Sequence, residues 1–137
     1  MLILPPEVRG EIERWVRDGY PEETCGVLVG RNRLGRTEVG RAVLARNLNR
    51  ERARDRYELD PADFLRADLA AREAGLEVVG VWHSHPDHPA EPSETDRLAA
   101  WEGWAYLIVE VTRGGIAAMR SWRLHGERFE EEPVSSS

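Results

Sequence analysis

The 137-residue chain predicts an α/β (α+β) sandwich, a mixed β-sheet flanked by helices. Three observations point there. Apolar residues recur at helical spacing in segments that open on a proline, and short strand-like apolar runs alternate with them. Some of those runs are joined by tight turns, whereas others are separated by a whole helix. Hairpins give antiparallel neighbours and helical crossovers give parallel ones, so the sheet is expected to mix both. With 41% hydrophobic residues the chain can bury a core without covalent staples.

The elements follow in order. Met1 to Leu4 reads as a short strand stopped by Pro5-Pro6. Pro6 suits the first turn of a helix over residues 6 to 18, with Val8, Ile12, Trp15 and Val16 on one face and Gly19 at its end. Cys25 to Gly30 and Thr37 to Ala45 are strand-like and joined through Asn32-Arg33-Leu34-Gly35, a hairpin signal. Asn47 to Arg54 is a polar, Arg-rich loop, and Tyr57 to Leu59 reads as a short strand. Asp60-Pro61 supplies a cap and a first residue for a helix to about Ala74, closed by Gly75. Val78 to Trp82 has the apolar run of a strand covered on both faces. Pro86, Pro89 and Pro92 then break the chain before a helix from Ser93 to about Glu102. Strands at Ala105 to Val111, Ile116 to Leu124 and, more weakly, Arg128 to Glu131 complete the sheet, with turns at Arg113-Gly114-Gly115 and His125-Gly126. One domain is expected over residues 1–132. The remaining Pro133 to Ser137 has nothing to bury and is expected to be a disordered tail.

Composition removes several chemistries. All nineteen basic residues are Arg, so there is no phosphate-loop lysine and no Schiff-base lysine. A single cysteine, Cys25, excludes an intrachain disulfide, a Cys-based zinc site and a Cys-x-x-Cys redox pair. The net charge of −6 argues against a nucleic-acid partner, which calls for a basic surface. The opening apolar run lacks a basic flank and is too short for a signal peptide, and Trp104 to Val109 falls far below a membrane span. A soluble, cytoplasmic protein without a membrane partner is therefore expected.

Chemistry concentrates at Trp82-His83-Ser84-His85. Strand side chains alternate, so His83 and His85 project to one side while Trp82 and Ser84 face the other, and two imidazoles can share one metal ion. Asp96 falls in the first turn of the next helix, where its carboxylate can return to the same point. Two His, one Asp and one open position make the ligand count of a catalytic zinc site. Each part also has a plain reading. A His pair is often polar surface, and Ser93 with Asp96 at its N3 position is a capping-box variant. Upstream, Pro21-Glu22-Glu23-Thr24-Cys25-Gly26 precedes an apolar strand, and a carboxylate there can serve as general base and then general acid. Either glutamate can be ordinary solvated surface. Cys25, within an apolar run, reads as a packed side chain rather than a nucleophile. Gly26 allows a close backbone approach.

Together these residues resemble a known family. His-x-His-x7-Ser-x2-Asp, here His83, His85, Ser93 and Asp96, with the Glu23-Thr24-Cys25-Gly26-Val27-Leu28-Val29-Gly30 run, is similar to the JAMM (MPN+) zinc isopeptidases of the short, prokaryotic stand-alone type. The likeness spans nearly the whole chain and implies an MPN, cytidine-deaminase-like fold. It implies one Zn2+ per chain held by His83, His85 and Asp96, with Glu23 as the base that becomes the acid and Ser93 as a donor to the oxyanion. The Glu-Thr-Cys-Gly register favours Glu23 over Glu22. The implied reaction is hydrolysis of the amide bond after the C-terminal Gly-Gly of a ubiquitin-like or sulfur-carrier protein, removing the modifier from a protein or releasing an amino acid such as cysteine. The enzyme is expected as a monomer or homodimer.

Only eight residues separate Asp96 from Ala105, so the second substrate-gripping insertion of eukaryotic deubiquitinases is missing. The first survives as Asn47 to Arg56, where Arg50, Arg52, Arg54 and Arg56 alternate and, if extended, form a basic stripe toward an acidic carrier. His88, in the loop between ligands, can line the substrate path, although a loop histidine is commonly just exposed. Other classes stay open: a non-catalytic MPN-type scaffold, a RadC-like DNA-repair-associated protein, or a non-haem iron site built from two His and one acid.

Overall fold

A computed structural model describes residues 1–53 and 56–137. Its strands are β1 (Leu2–Ile3), β2 (Cys25–Arg33), β3 (Arg36–Ala45), β4 (Glu77–Pro86), β5 (Ala105–Thr112), β6 (Gly115–His125), β7 (Arg128–Glu132) and β8 (Val134–Ser135), and its helices are α1 (Pro6–Gly19), α2 (Pro61–Glu73) and α3 (Glu94–Ala99). The strands form one sheet in the order β7-β6-β5-β4-β2-β3-β1-β8. β4 runs parallel to β5, and β1 is parallel to both β3 and β8, whereas the hairpin-linked pairs are antiparallel. No helix among the described residues is long and apolar enough to cross a membrane.

The helices cover opposite faces of the sheet. α1 buries Val8, Ile12 and Val16, the stripe its spacing predicts, against Leu28, Trp82, Leu107 and Val109. Trp15 completes that layer by stacking on Trp82 at 5.7 Å. Across the sheet, Ala67 and Ala71 of α2 pack on Val27, Val29 and Val78. The Asp60 side chain caps α2 by accepting from the Ala62 N–H at 2.9 Å. The hairpin turns where expected, with Leu34 and Gly35 both at positive φ, 46° and 78°, as a tight two-residue turn requires.

A β-bulge in β4 sets the phase of the site. Leu28 pairs with Gly80 and Val29 with Val78, which leaves Val79 as the extra residue. Val78 therefore faces α2, Val79 faces α1, and the alternation restarts so that Trp82 points to α1. His83 and His85 consequently emerge on the α2 side. Strict alternation through Val78 to Trp82 misses this shift.

Three elements differ from expectation. Tyr57 to Leu59 is not a strand but a single antiparallel bridge between Asn47 and Leu59. α3 ends at Ala99 rather than near Glu102, because Ala100 turns extended and the Tyr106 hydroxyl takes the Trp101 N–H at 2.6 Å. That unwinding lays Trp104 against Phe64, with ring centroids 5.7 Å apart. Finally, the tail is not loose. Val134–Ser135 adds to β1 in parallel, with the Leu2 N–H bonded to the Pro133 carbonyl at 2.9 Å and the Leu4 N–H to the Ser135 carbonyl at 2.7 Å. Two-residue strands carry little apolar signal, but satisfying the open edge of β1 suffices to order them.

Candidate metal centre

β4 carries His83 and His85 to its C-terminal end, where they are 0% and 2% exposed. Their Nε2 atoms lie 3.2 Å apart. Asp96, on the first turn of α3, places Oδ1 3.3 Å from His83 Nε2 and Oδ2 3.2 Å from His85 Nε2. Ligand atoms about 2.0–2.1 Å from a tetrahedral ion would be about 3.3 Å from one another, so these spacings fit one ion among the three side chains. Two imidazoles and a carboxylate are also a donor set suited to zinc.

The surroundings aim these donors. His85 donates from Nδ1 to the Pro89 carbonyl at 2.8 Å, which fixes the tautomer and leaves Nε2 with its lone pair toward the centre. Tyr57 stacks on His83 at 4.4 Å, and His88 stacks on His85 at 4.2 Å. His88 is thus half-buried behind a candidate ligand rather than exposed in the loop. The loop bearing Pro89 is itself tied down. The Tyr20 hydroxyl donates to the Asp87 carboxylate at 2.8 Å, and Trp122 Nε1 donates to the Ala90 carbonyl at 3.0 Å.

Cap and candidate ligand are one device. Ser93 Oγ accepts from the Asp96 N–H at 3.0 Å, while Asp96 Oδ2 accepts from the Ser93 N–H at 2.8 Å. The reciprocal bonds orient the carboxylate toward the imidazoles. They also use Ser93 Oγ as an acceptor, which leaves its O–H free to donate.

Electrostatics separate the two histidines. Burial pushes His83 below its usual 6.5, against the opposing pull of Asp96. For His85 the same desolvation is outweighed by the Asp96 carboxylate and the Pro89 carbonyl, so its value rises. Burial acts to raise Asp96, but its polar contacts with His83 and His85 and the bond from the Ser93 N–H hold it well below 3.8, so it is ionised. Cys25 is the reverse case: burial pushes its thiol up to about 12, the state of an inert packed side chain.

Glu23 joins the centre from the segment just before β2. It is 4% exposed, and a carboxylate oxygen lies within 4.8 Å of the His83 and His85 nitrogens, whereas Glu22 points to solvent. Cross-strand pairing of Cys25 with His83 makes this possible. The pairing continues one residue further, with the Ser84 N–H bonded to the Thr24 carbonyl and the Thr24 N–H bonded to Ser84 Oγ, both at 2.9 Å. Gly26 sits where a Cβ would meet the Val43 carbonyl at 2.0 Å and Trp82 Nε1 at 2.4 Å, the close approach its position suggests.

The arginine stripe does not form as expected. Residues 51–53 turn, and the Arg56 N–H reaches back to the Arg52 carbonyl at 2.8 Å, so the described arginines Arg50, Arg52 and Arg56 do not line one extended edge. Arg50 and Arg52 are exposed, Arg56 is half-buried, and Arg54 lies outside the described residues. Sequence reasoning missed an apolar groove beside the centre. It measures about 570 Å³ and is lined by Tyr57, Phe64, Val81, Trp101, Trp104 and Tyr106, with Trp101 71% exposed. Its signal was the spacing of aromatics around residues 57–64 and 101–106, which reads equally well as core.

A sheet with helices on both faces and a His, His, Asp centre at the end of an inner strand defines the class. Residues 5–125 match the family of prokaryotic homologues of the JAB domain. The chain belongs to that family. It is 34% identical over 139 residues to the desampylase of Haloferax volcanii, covering 98% of this chain and 95% of that protein. To the CysO-cysteine peptidase of Mycobacterium tuberculosis it is 30% identical over 136 residues, covering 98% and 90% respectively. A solution structure of a Desulfitobacterium hafniense protein superposes with a TM-score of 0.87 at 29% identity, over 98% of this chain and 91% of that one.

Proposed function

We propose that the protein is a zinc-dependent peptidase that hydrolyses the amide bond after the C-terminal Gly-Gly of a ubiquitin-like or sulfur-carrier protein. The observation that carries this reading is the convergence of His83, His85 and Asp96 at 3.2–3.3 Å with the buried Glu23 carboxylate beside them. Relatives named for removing such carriers support the substrate class.

His83, His85 and Asp96 would hold the ion. When bound, zinc supplies Lewis-acid polarisation and makes water acidic enough to be deprotonated near neutral pH. Glu23 takes that proton and returns it to the departing amine, one carboxylate serving both steps. Ser93 donates its free O–H to the carbonyl oxygen as negative charge develops. The ionised Asp96 and the Pro89 carbonyl keep both imidazoles oriented. The apolar groove, lined in part by the Tyr57 ring that stacks on His83, offers a surface for an extended carrier tail next to the centre.

The test is direct. Carrier conjugates ending in Gly-Gly linked to a protein lysine, and the same carrier bearing a C-terminal cysteine, are incubated with zinc-loaded protein and followed by mass spectrometry. Cleavage after the second glycine by wild type but not by Glu23→Gln is expected. A protein that binds no zinc, or a fully active Glu23→Gln variant, overturns the reading, and the preferred conjugate separates modifier removal from amino-acid release.

A further inference from the structure

We propose that Asn47 is a positioning residue for Glu23, and that it joins the loop over residues 48–58 to the proton carrier of the site. The proposal rests on the role given to Glu23 above. Asn47 lies two residues past the end of β3 and stands at the neck of that loop. Its side chain uses both ends. Nδ2 donates to the Glu23 carbonyl and to the Arg56 carbonyl, each at 3.1 Å. Oδ1 accepts from the Asn49 N–H at 3.0 Å and from the Glu58 N–H at 2.9 Å. An amide side chain has two donors and an oxygen with two lone pairs, so Asn47 is fully used, and no other residue type supplies that pattern at this length.

The consequence reaches Glu23 through its backbone. Its carbonyl is held by Asn47, and its N–H is bonded to the Ala53 carbonyl within the same loop. Both polar backbone groups of Glu23 therefore depend on the loop rather than on the sheet, because β2 begins only at Cys25. The loop is closed below Asn47 by the Leu48 N–H to the Glu58 carbonyl at 2.8 Å and by the Asp60 N–H to the Arg46 carbonyl at 3.0 Å. A carrier that bears on Asn47 or Ala53 would therefore act on the Glu23 carboxylate in the same event. An anchor of this kind acts on the rate of a bound substrate, since a displacement near 1 Å of a reacting group costs on the order of 100-fold.

The variant that isolates the effect is Asn47→Asp. Its Oδ1 still accepts from Asn49 and Glu58, while the two N–H donors to Glu23 and Arg56 are gone. The expected result with a Gly-Gly conjugate is a kcat lower by about 10- to 100-fold, a KM within threefold and an unchanged zinc content per chain. Hydrogen exchange at the Glu23 amide should quicken while the His83 amide stays protected. If Asn47→Asp does not fold, Asn47→Ser, whose hydroxyl keeps a turn with residue 49 but cannot span both carbonyls, is read by the same criteria. A kcat within twofold of wild type overturns the proposal, and so does a loss of zinc in parallel with kcat. An active Glu23→Gln overturns the reading beneath it; an inactive Glu23→Gln beside an active Asn47→Asp overturns the Asn47 role alone.

Discussion

Ser84→Ala should cost more than a surface-sized side chain suggests. Ser84 is fully buried between the two candidate ligands, and its Oγ accepts from the Thr24 N–H at 2.9 Å and faces Thr24 Oγ1 at 3.3 Å. Alanine leaves the amide without an acceptor next to a strand that already uses the Thr24 carbonyl. An unsatisfied buried donor costs about 1–3 kcal/mol. At about 3–5 °C per kcal/mol for a chain of this length, the thermal midpoint should fall by roughly 3–15 °C. Urea unfolding should show a lower midpoint with an unchanged slope, as expected for a loss of stability without a change in exposed surface. Repeating the substitution in a Thr24→Val background locates the cost. If the amide carries it, Ser84→Ala is equally harmful there; if the weaker hydroxyl contact carries it, the effect vanishes. A loss below about 0.5 kcal/mol in both backgrounds, the ordinary scatter of surface changes, would refute the reasoning.

Asp96→Asn keeps an oxygen for the Ser93 N–H but loses the charge, so zinc affinity should drop by more than the roughly 10- to 100-fold that follows losing a group behind a ligand. Chelator competition measures it, and unchanged affinity would remove Asp96 from the centre. Burial that raises the Cys25 thiol to about 12 gives stability present below 9.0 and lost as pH rises from there toward 12, because only the unfolded chain ionises in that window. Unfolding midpoints of wild type should fall over that range more steeply than those of Cys25→Ala, and identical slopes would contradict the burial argument. Gly26→Ala would press a methyl group into the Val43 carbonyl and the Trp82 ring, so soluble yield or stability should fall by more than about 2 kcal/mol. A near-neutral Gly26→Ala variant would mean that β2 and β3 can part there. Trp101→Ala removes an exposed wall of the groove and should raise KM for a carrier conjugate several-fold with the thermal midpoint unchanged. An unaltered KM would place the carrier tail elsewhere.

The fold was legible where periodicity is strong. α1 and α2 open on Pro6 and Pro61 as their sequences suggest, and the hairpin at Leu34-Gly35 forms because both residues take positive φ. The geometry of the candidate site was legible through residue type and spacing: His83, His85 and Asp96 lie together with Glu23 beside the two imidazoles, and burial separates Glu23 from Glu22. Legibility ended where long-range hydrogen bonds decide. The order in Val134–Ser135 depends on an edge offered by Leu2–Ile3, which no local pattern announces. The Arg alternation near residue 50 suggested an extended stripe, but side-chain bonds from Asn47 and Asn49 bend that segment into a turn. The carbonyl of Pro89, which orients His85, has no side-chain signature at all.

The bulge at Val79 lets β4 serve both layers without changing its pairing. Without that residue Val78 and Gly80 would be ordinary neighbours opposite Val29 and Leu28, and every side chain from Gly80 to His85 would keep its present layer. What would go is the apolar side chain that Val79 adds beneath α1. Two residues at one pairing position give each helix its own contact, Val78 to α2 and Val79 to α1, so the inner strand can lose one there at the expense of packing while both imidazoles keep their direction.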